Sequence, residues 1–441
     1  MTATQRYKTI LMLGLPIIGG MLSQSILNLV DAAMVGSLGE SALAGVGVGS
    51  YANFVAVSLI LGLSSGVQAM VARRRGQGRL AEMARPVNWG LIVSVLFALP
   101  LSLIYIDHSA DIIALISDDP EVQNIGQSYF DYRTMAMLAV GINLSFRGWW
   151  NGIKQPGTYL VSLLVMHVLN VAISYGLIFG KLGLPEMGAA GAGLGTAIAL
   201  ILGCLLNGIL MWRSARPYGF LKYRKGPASI SKLLSLSIPH SLQQFFFAAG
   251  ICTLFWIIGQ LGTEDQAIAH ILINLALFLI LPGVGFGIAS TSLVSHSLGE
   301  NNAEEACQWG WDTIKTALGV IILLSLPLWI FPDAILGLFI YSDSLLLQAE
   351  LPLQITAIAI CLDTAAIVLT QALLGAGANR SVLYISTLGQ WMFYLPLAWL
   401  IGPYWGFGLL GIWLVQVIHR ALSSAIFSYV WSKRQWAEIA V

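Results

Sequence analysis

Charge is what this sequence has least of. Charged residues make up 10% of the 441-residue chain and hydrophobic residues 57%, whereas a water-soluble domain carries about 25% charged residues. That shortage excludes a soluble globular protein, because such a chain could not cover its own apolar surface without lipid. Cysteine is scarce as well. Cys204, Cys252, Cys307 and Cys361 lie within or at the edge of apolar stretches, with no CxxC or other metal spacing, so they read as small buried apolar residues. HExxH, GxSxG and zinc spacings are missing, which argues against a membrane-embedded enzyme. No Gly-rich phosphate loop follows a strand, and no loop is long enough for a nucleotide domain. If this chain moves a solute uphill, an ion gradient must drive it. The net charge of +1 gives no sign of nucleic-acid binding.

What the chain does have is apolar length. A transmembrane helix needs about 20 mostly apolar residues, and twelve such spans occur: 10–38, 45–72, 86–106, 122–149, 157–180, 187–212, 231–260, 265–297, 306–331, 346–374, 381–402 and 406–431. The runs are long and do not alternate, so strands are not expected. The first span is too long for a signal peptide. The expected fold class is an all-α integral membrane protein with twelve transmembrane helices.

The charged loops alternate. Arg6 and Lys8 precede span 1, Arg73, Arg74, Arg75, Arg79 and Arg85 follow span 2, and Lys154 follows span 4. Arg213, Arg216, Lys222, Arg224, Lys225 and Lys232 separate spans 6 and 7, and Lys433 and Arg434 close the chain. The other loops carry acids, with Lys181 as their one base. By the positive-inside rule both termini are cytoplasmic. Glu300, Glu304 and Glu305 fall on the inner side, but acids weigh little in that rule.

The chain also repeats itself. At an offset of 223 residues, Pro16 matches Pro239, Gly36 matches Gly259, Gly39 matches Gly262, Gly62 matches Gly285, Gly76 matches Gly299 and Gly152 matches Gly375. Six helices per repeat return the chain to its starting side. The two six-helix lobes, expected at 1–218 and 219–441, are therefore pseudo-symmetric and form a parallel repeat, joined through "RSARPYGFLKYRKG" (213–226).

Span 1 contains "SILNLVDAAMVGSLG" (25–39), with Asp31 among apolar residues and Asn28 one turn before it. The repeat places Leu254 opposite Asp31, so the acid belongs to the first half alone. A charge at the centre of a membrane helix costs about 2.5–3.5 kcal/mol on insertion scales, and intramembrane acids default to function. A carboxyl that can lose its charge by protonation suits a proton relay. In span 5, His167, Asn170 and Ser174 fall on one helix face. Asp31 lies about eight residues from the outer end of its span, Asn170 about ten from its own, and Thr196 of span 6 about nine. Asp31, Asn170, Ser174 and Thr196 are the expected cation- or proton-binding cluster, with Asp31 and Asn170 as metal ligands if the ion is Na⁺. His167 is deeper and reads as a packing histidine.

Candidate cavity residues are Asn28 and, in "YFDYRTM", Asp131, Tyr132 and Arg133. At i and i+2, Asp131 and Arg133 do not face each other well. The second half contributes Gln243, Gln244, Phe247, Asn274, Asp363 and Gln371. Amides beside aromatics suit amphipathic organic molecules.

Several stretches together resemble one family. "GLPIIGGMLSQSILNLVDAAMVGSLG" in span 1, "RRGQGRLAEM" and its counterpart "SLGENNAEEA" after spans 2 and 8, "RGWWNGIKQP" after span 4 and "LLGAGANR" after span 10 are similar to the multidrug and toxic compound extrusion (MATE) transporters over nearly the full length. The resemblance implies a secondary active exporter of the bacterial inner membrane, in which H⁺ or Na⁺ enters as an organic, often cationic, compound leaves by alternating access. It makes Asp31 the helix 1 cation-site aspartate, with Asn170 and Thr196 as polar positions of the same site. One branch has a second acid where this chain has Ser174, and another has a glutamate in helix 7 where it has Phe247, while Asp363 matches that branch's helix 10 aspartate. With one carboxylate fewer, the expected coupling ion is H⁺. No cofactor beyond the coupling ion is expected. The expected partners are drug-like small molecules and the bilayer, with the protein a monomer. A lipid-linked saccharide flippase of the same superfamily is the alternative.

Overall fold

The computed structural model describes residues 2–222 and 229–441. Tyr223, Arg224, Lys225 and Gly226 of the basic link lie outside the described residues. Among the described residues the chain is helical and no strand forms. In lipid each backbone N–H and C=O must be satisfied inside its own segment, and the helix does this.

Twelve crossings can be followed. They are α1 (Ala3–Gly36), α2 (Glu40–Gly76), α3 (Leu80–Asp107), α4 (Pro120–Met135 and Met137–Gly152), α5 (Pro156–Phe179), α6 (Ala189–Ala215), α7 (Ser229–Gly259), α8 (Thr263–Gly299), α9 (Ala303–Ile330), α10 (Asp343–Ala376), α11 (Asn379–Leu388 continuing to Tyr404) and α12 (Gly408–Ser432). Ten of these are long and apolar enough to cross a bilayer as single runs. The other two are α4, which breaks at Ala136 and carries Asp131 and Arg133, and α11, which contains π turns at Gly389–Tyr394 and Leu400–Tyr404. A third π turn, Ser94–Ala98, lies in α3.

The repeat is built into the turns. Gly39 and Gly262, 223 residues apart, end the α1–α2 and α7–α8 turns at φ 122° and 133°, a backbone that only glycine adopts without strain. The turns after α2 and α8 place Gly78 and Asn301 in the left-handed region at φ 70° and 58°. Short helices Ser109–Ala114 and Pro332–Leu336 follow α3 and α9 at the same offset. Asp119 caps α4 by accepting from Glu121 N (2.9 Å), with Pro120 in the first turn.

By contact the chain forms two compact units. One holds Gly19–Ser241; the other holds the residues up to Ile18 together with Leu242–Val441. The covalent repeat and the contact units are therefore different divisions, and α1 and α7 each run through both units. In the first unit α2 packs on both pieces of α4, and α6 packs on α4 and α5. Small residues allow the close approach. A Cβ on Gly49 would stand 2.8 Å from the Tyr129 ring, on Gly193 2.9 Å from the Tyr129 carbonyl, and on Gly195 2.4 Å from Ser174 Oγ. In the second unit α10 packs against α8, α9 and α12. The start of α1 is anchored there by Arg6, whose Nε reaches Asp312 Oδ2 at 2.6 Å and whose Nη1 donates to Gln308 at 2.7 Å.

Candidate functional site

Three helices of the first unit supply the polar groups. Asn170 and Ser174 sit one turn apart on α5, and Gly195 brings Thr196 of α6 against them. Asn170 Nδ2 donates to Thr196 Oγ1 at 3.1 Å, Ser174 Oγ donates to Asn170 Oδ1 at 3.0 Å, and Thr196 Oγ1 donates to the Ala192 carbonyl at 2.9 Å. All three are buried. Of the four residues expected to cluster, these three share one hydrogen-bond chain.

Asp31 makes no hydrogen bond to them. Its Oδ1 is enclosed and has no partner among the described residues. This is an expensive state for a carboxylate, because an enclosed charge loses its water without regaining the energy elsewhere. The network has capacity left: an asparagine amide carries two N–H donors, and Asn170 spends one.

Arg133 is the charged group that acts electrostatically on Asp31, yet no ion pair within 4.0 Å forms between them. Arg133 Nη1 instead donates to Tyr129 Oη at 3.1 Å, with the guanidinium 5.8 Å from that ring's centroid. Tyr129 is itself buried between Gly49 of α2 and Gly193 of α6. Asp131 does not pair with Arg133; Ser109 lies beside it, and its Oδ1 is enclosed without a partner. Tyr132 is half-buried. Asn28 is exposed and accepts from Gln24 Nε2 at 3.1 Å, and Gln24 Oε1 meets His167 Nε2 at 3.2 Å. His167 is thus tied to α1, one turn below the Asn170 chain.

The second-half candidates do not form one cluster. Among Gln243, Phe247, Asn274, Asp363 and Gln371, no hydrogen bond joins one to another. Asn274 is exposed and donates to the His270 carbonyl at 2.8 Å. Gln371 packs its side chain on Gly287. Gln243 Oε1 is enclosed and unmatched, Phe247 is exposed, and Gln244 is half-buried. Asp363 is neutralised: Arg420 of α12 donates to it at 2.5 Å, with both side chains about 15% exposed. Around this pair, His419 stacks on Tyr394 at 5.2 Å, and Trp391 Nε1 donates to the Phe246 carbonyl at 3.1 Å.

Sequence reasoning missed Arg420, although a base in the middle of the apolar run "VQVIHRALSS" signals a buried partner. Nothing in the residue order marks the π turn that carries Trp391 and Tyr394, a feature frequent at functional sites.

Comparison with known proteins adds the lineage. The MatE family model matches residues 16–176 and 239–400, two copies spaced by the same repeat. The chain belongs to the MatE family. Its members are membrane transporters, not enzymes. The "probable multidrug resistance protein NorM" of Pasteurella multocida is 26% identical over 95% of this chain and 92% of its own. The protein of the same name from a Synechococcus species is 28% identical over 95% and 92%. A solved structure described as the outward-facing conformation of a multidrug resistance MATE family transporter superposes with a TM-score of 0.89 at 19% identity, covering 99% of this chain and 97% of that one. Another, described as MATE in the straight conformation, gives 0.87 at 20% identity, with 97% and 96% covered. At those identities the superpositions speak for the fold: two repeated six-helix lobes.

Proposed function

We propose that this protein is a secondary active multidrug exporter that admits H⁺ as it releases organic, often cationic, compounds, with Asp31 as the coupling group. Membership of the MatE family and the names of its NorM relatives support the transport class and the drug-like cargo. The observation that carries the coupling role is the enclosed, unmatched Asp31 oxygen, one turn along α1 from Val35, which packs with Ile178 and Ala192, themselves one turn from Ser174 and Thr196 of the hydrogen-bond chain. A protonated Asp31 can stand there without a counter-charge. An ionised Asp31 needs new partners, and the free N–H of Asn170 is one. The change of partner couples protonation to a rearrangement of α1 against α5 and α6, and so to alternating access. Na⁺ is the weaker coupling ion, since Asp31 would be the one carboxylate among neutral oxygens.

The alternating loop charges support cytoplasmic termini, and long apolar helices in a bacterial transporter family support an inner-membrane location. The acids and amides among the cavity candidates suit cationic cargo rather than the headgroup of a lipid-linked saccharide. The test is drug susceptibility of an efflux-deficient host. Asp31→Asn should give no resistance while reaching the membrane at wild-type levels. Full resistance from that variant would end the proposed role.

A further inference from the structure

Two mismatched atoms border one apolar cluster of the first unit, in which Val35 of α1 packs with Tyr129 of α4; Asp31 and Arg133 each stand one turn along the helix from those residues. Asp31 Oδ1 is an enclosed acceptor with no donor, and Arg133 Nε is an enclosed donor with no acceptor. A membrane protein that buried an acid and a base for stability would join them, as α10 and α12 join Asp363 and Arg420. Here the base is held back. The Tyr129 hydroxyl and ring face occupy Arg133, and Tyr129 is clamped by Gly49 and Gly193, where any larger residue would collide with it.

We infer that Arg133 is the resident counter-cation of Asp31, supplying in place of Na⁺ the positive charge that an ionised Asp31 needs, so that the site accepts a proton and rejects Na⁺. This rests on Asp31 being the coupling group.

The electrostatics run as follows. With Asp31 ionised and Arg133 charged, the pair sums to zero, and a hard cation finds no net negative charge to gain. Such cations also demand several oxygen ligands at once. Asn170 Oδ1 and Thr196 Oγ1 already accept hydrogen bonds from within the network. A second cation beside Asp31 is repelled by Arg133 in a site of low effective dielectric, and the repulsion lowers its affinity. A proton meets the same repulsion, but it forms a covalent O–H bond and needs no ligand shell. The tether to Tyr129 keeps the charge near Asp31 without a permanent ion pair, which would close the acid to protons.

The test uses the purified full-length protein and inorganic Na⁺. Thermal unfolding is followed in NaCl and in choline chloride at equal ionic strength, for wild type, Arg133→Gln, Arg133→Lys, and Arg133→Gln combined with Asp31→Asn. Wild type and Arg133→Lys should show no Na⁺-specific change. Arg133→Gln should gain a saturable Na⁺-dependent rise in Tm, and the double variant should lose it. A folded Arg133→Gln protein that stays indifferent to Na⁺ would overturn the inference. Direct ²²Na⁺ binding to wild type covers the case in which Arg133→Gln does not fold: Asp31-dependent binding there contradicts it, and no binding agrees with it. The readout is binding, so it separates from the coupling role, which fails only if Asp31→Asn still transports.

Discussion

The two halves of this transporter each bury an acid, and they treat it in opposite ways. Asp363 is locked to Arg420 across α10 and α12. Asp31 has a base nearby, Arg133, that is tied to Tyr129 instead. Both acids meet the same membrane cost, so the difference lies in what each can still do. A closed pair holds helices together and has no capacity for a further ion. An open acid can change its charge, and a change of charge is what couples one flux to another. On the proposed function, coupling belongs to the first half and scaffolding to the second, although the repeat gives both halves the same helices.

The comparison breaks most sharply at Arg420. Arg420→Leu strands Asp363 without its partner and should cost about 3–5 kcal/mol, whereas replacing both members with apolar residues should recover most of it. Denaturation of the detergent-solubilised protein measures this. An Arg420→Leu protein as stable as wild type would mean that Asp363 is not structurally paired. The first-half network should give a smaller effect. Ser174→Ala removes the hydroxyl that Asn170 accepts from and should lower stability by about 1 kcal/mol. It should also shift the pH dependence of efflux, because the Asn170 amide is freed to turn. An unchanged pH profile would confine Ser174 to packing.

Much of this was legible in the residue order. Apolar length gave the crossings, and the 223-residue offset gave the repeat down to its turns, because Gly39 and Gly262 are needed wherever the chain reverses at positive φ. Depth along the helices brought Asn170 and Ser174 to the level of Thr196, and they bond because their faces also turn together. What depth could not give was which face each helix turns inward. For that reason Asp31 was expected inside the Asn170 chain and stands without a hydrogen bond to it. The Arg420–Asp363 pair depends on how α10 and α12 cross. The break at Ala136 and the three π turns are local departures from helical geometry that the apolar runs do not announce.

The same limit applies to the packing of α1 and α7. Ser241 Oγ accepts from Gly62 N at 3.0 Å, and Ser65 meets His240 at 2.6 Å. At the positions of the other unit equivalent to Gly62 and Ser241, Ile18 rests on Gly285, and nearby Phe286 rests on Gly14. Gly62 recurs as Gly285, so that close approach was readable. The polar character of one seam and the apolar character of the other came only with the partners.

The central claim is that Asp31 couples transport to protons. Proteoliposomes loaded with a cationic dye substrate, given a pH gradient or a Na⁺ gradient separately, test it most directly. The account predicts that the pH gradient alone drives substrate movement in wild type, and that Asp31→Asn abolishes it. Transport driven by the Na⁺ gradient alone, or an Asp31→Asn protein that still follows the pH gradient, would contradict it.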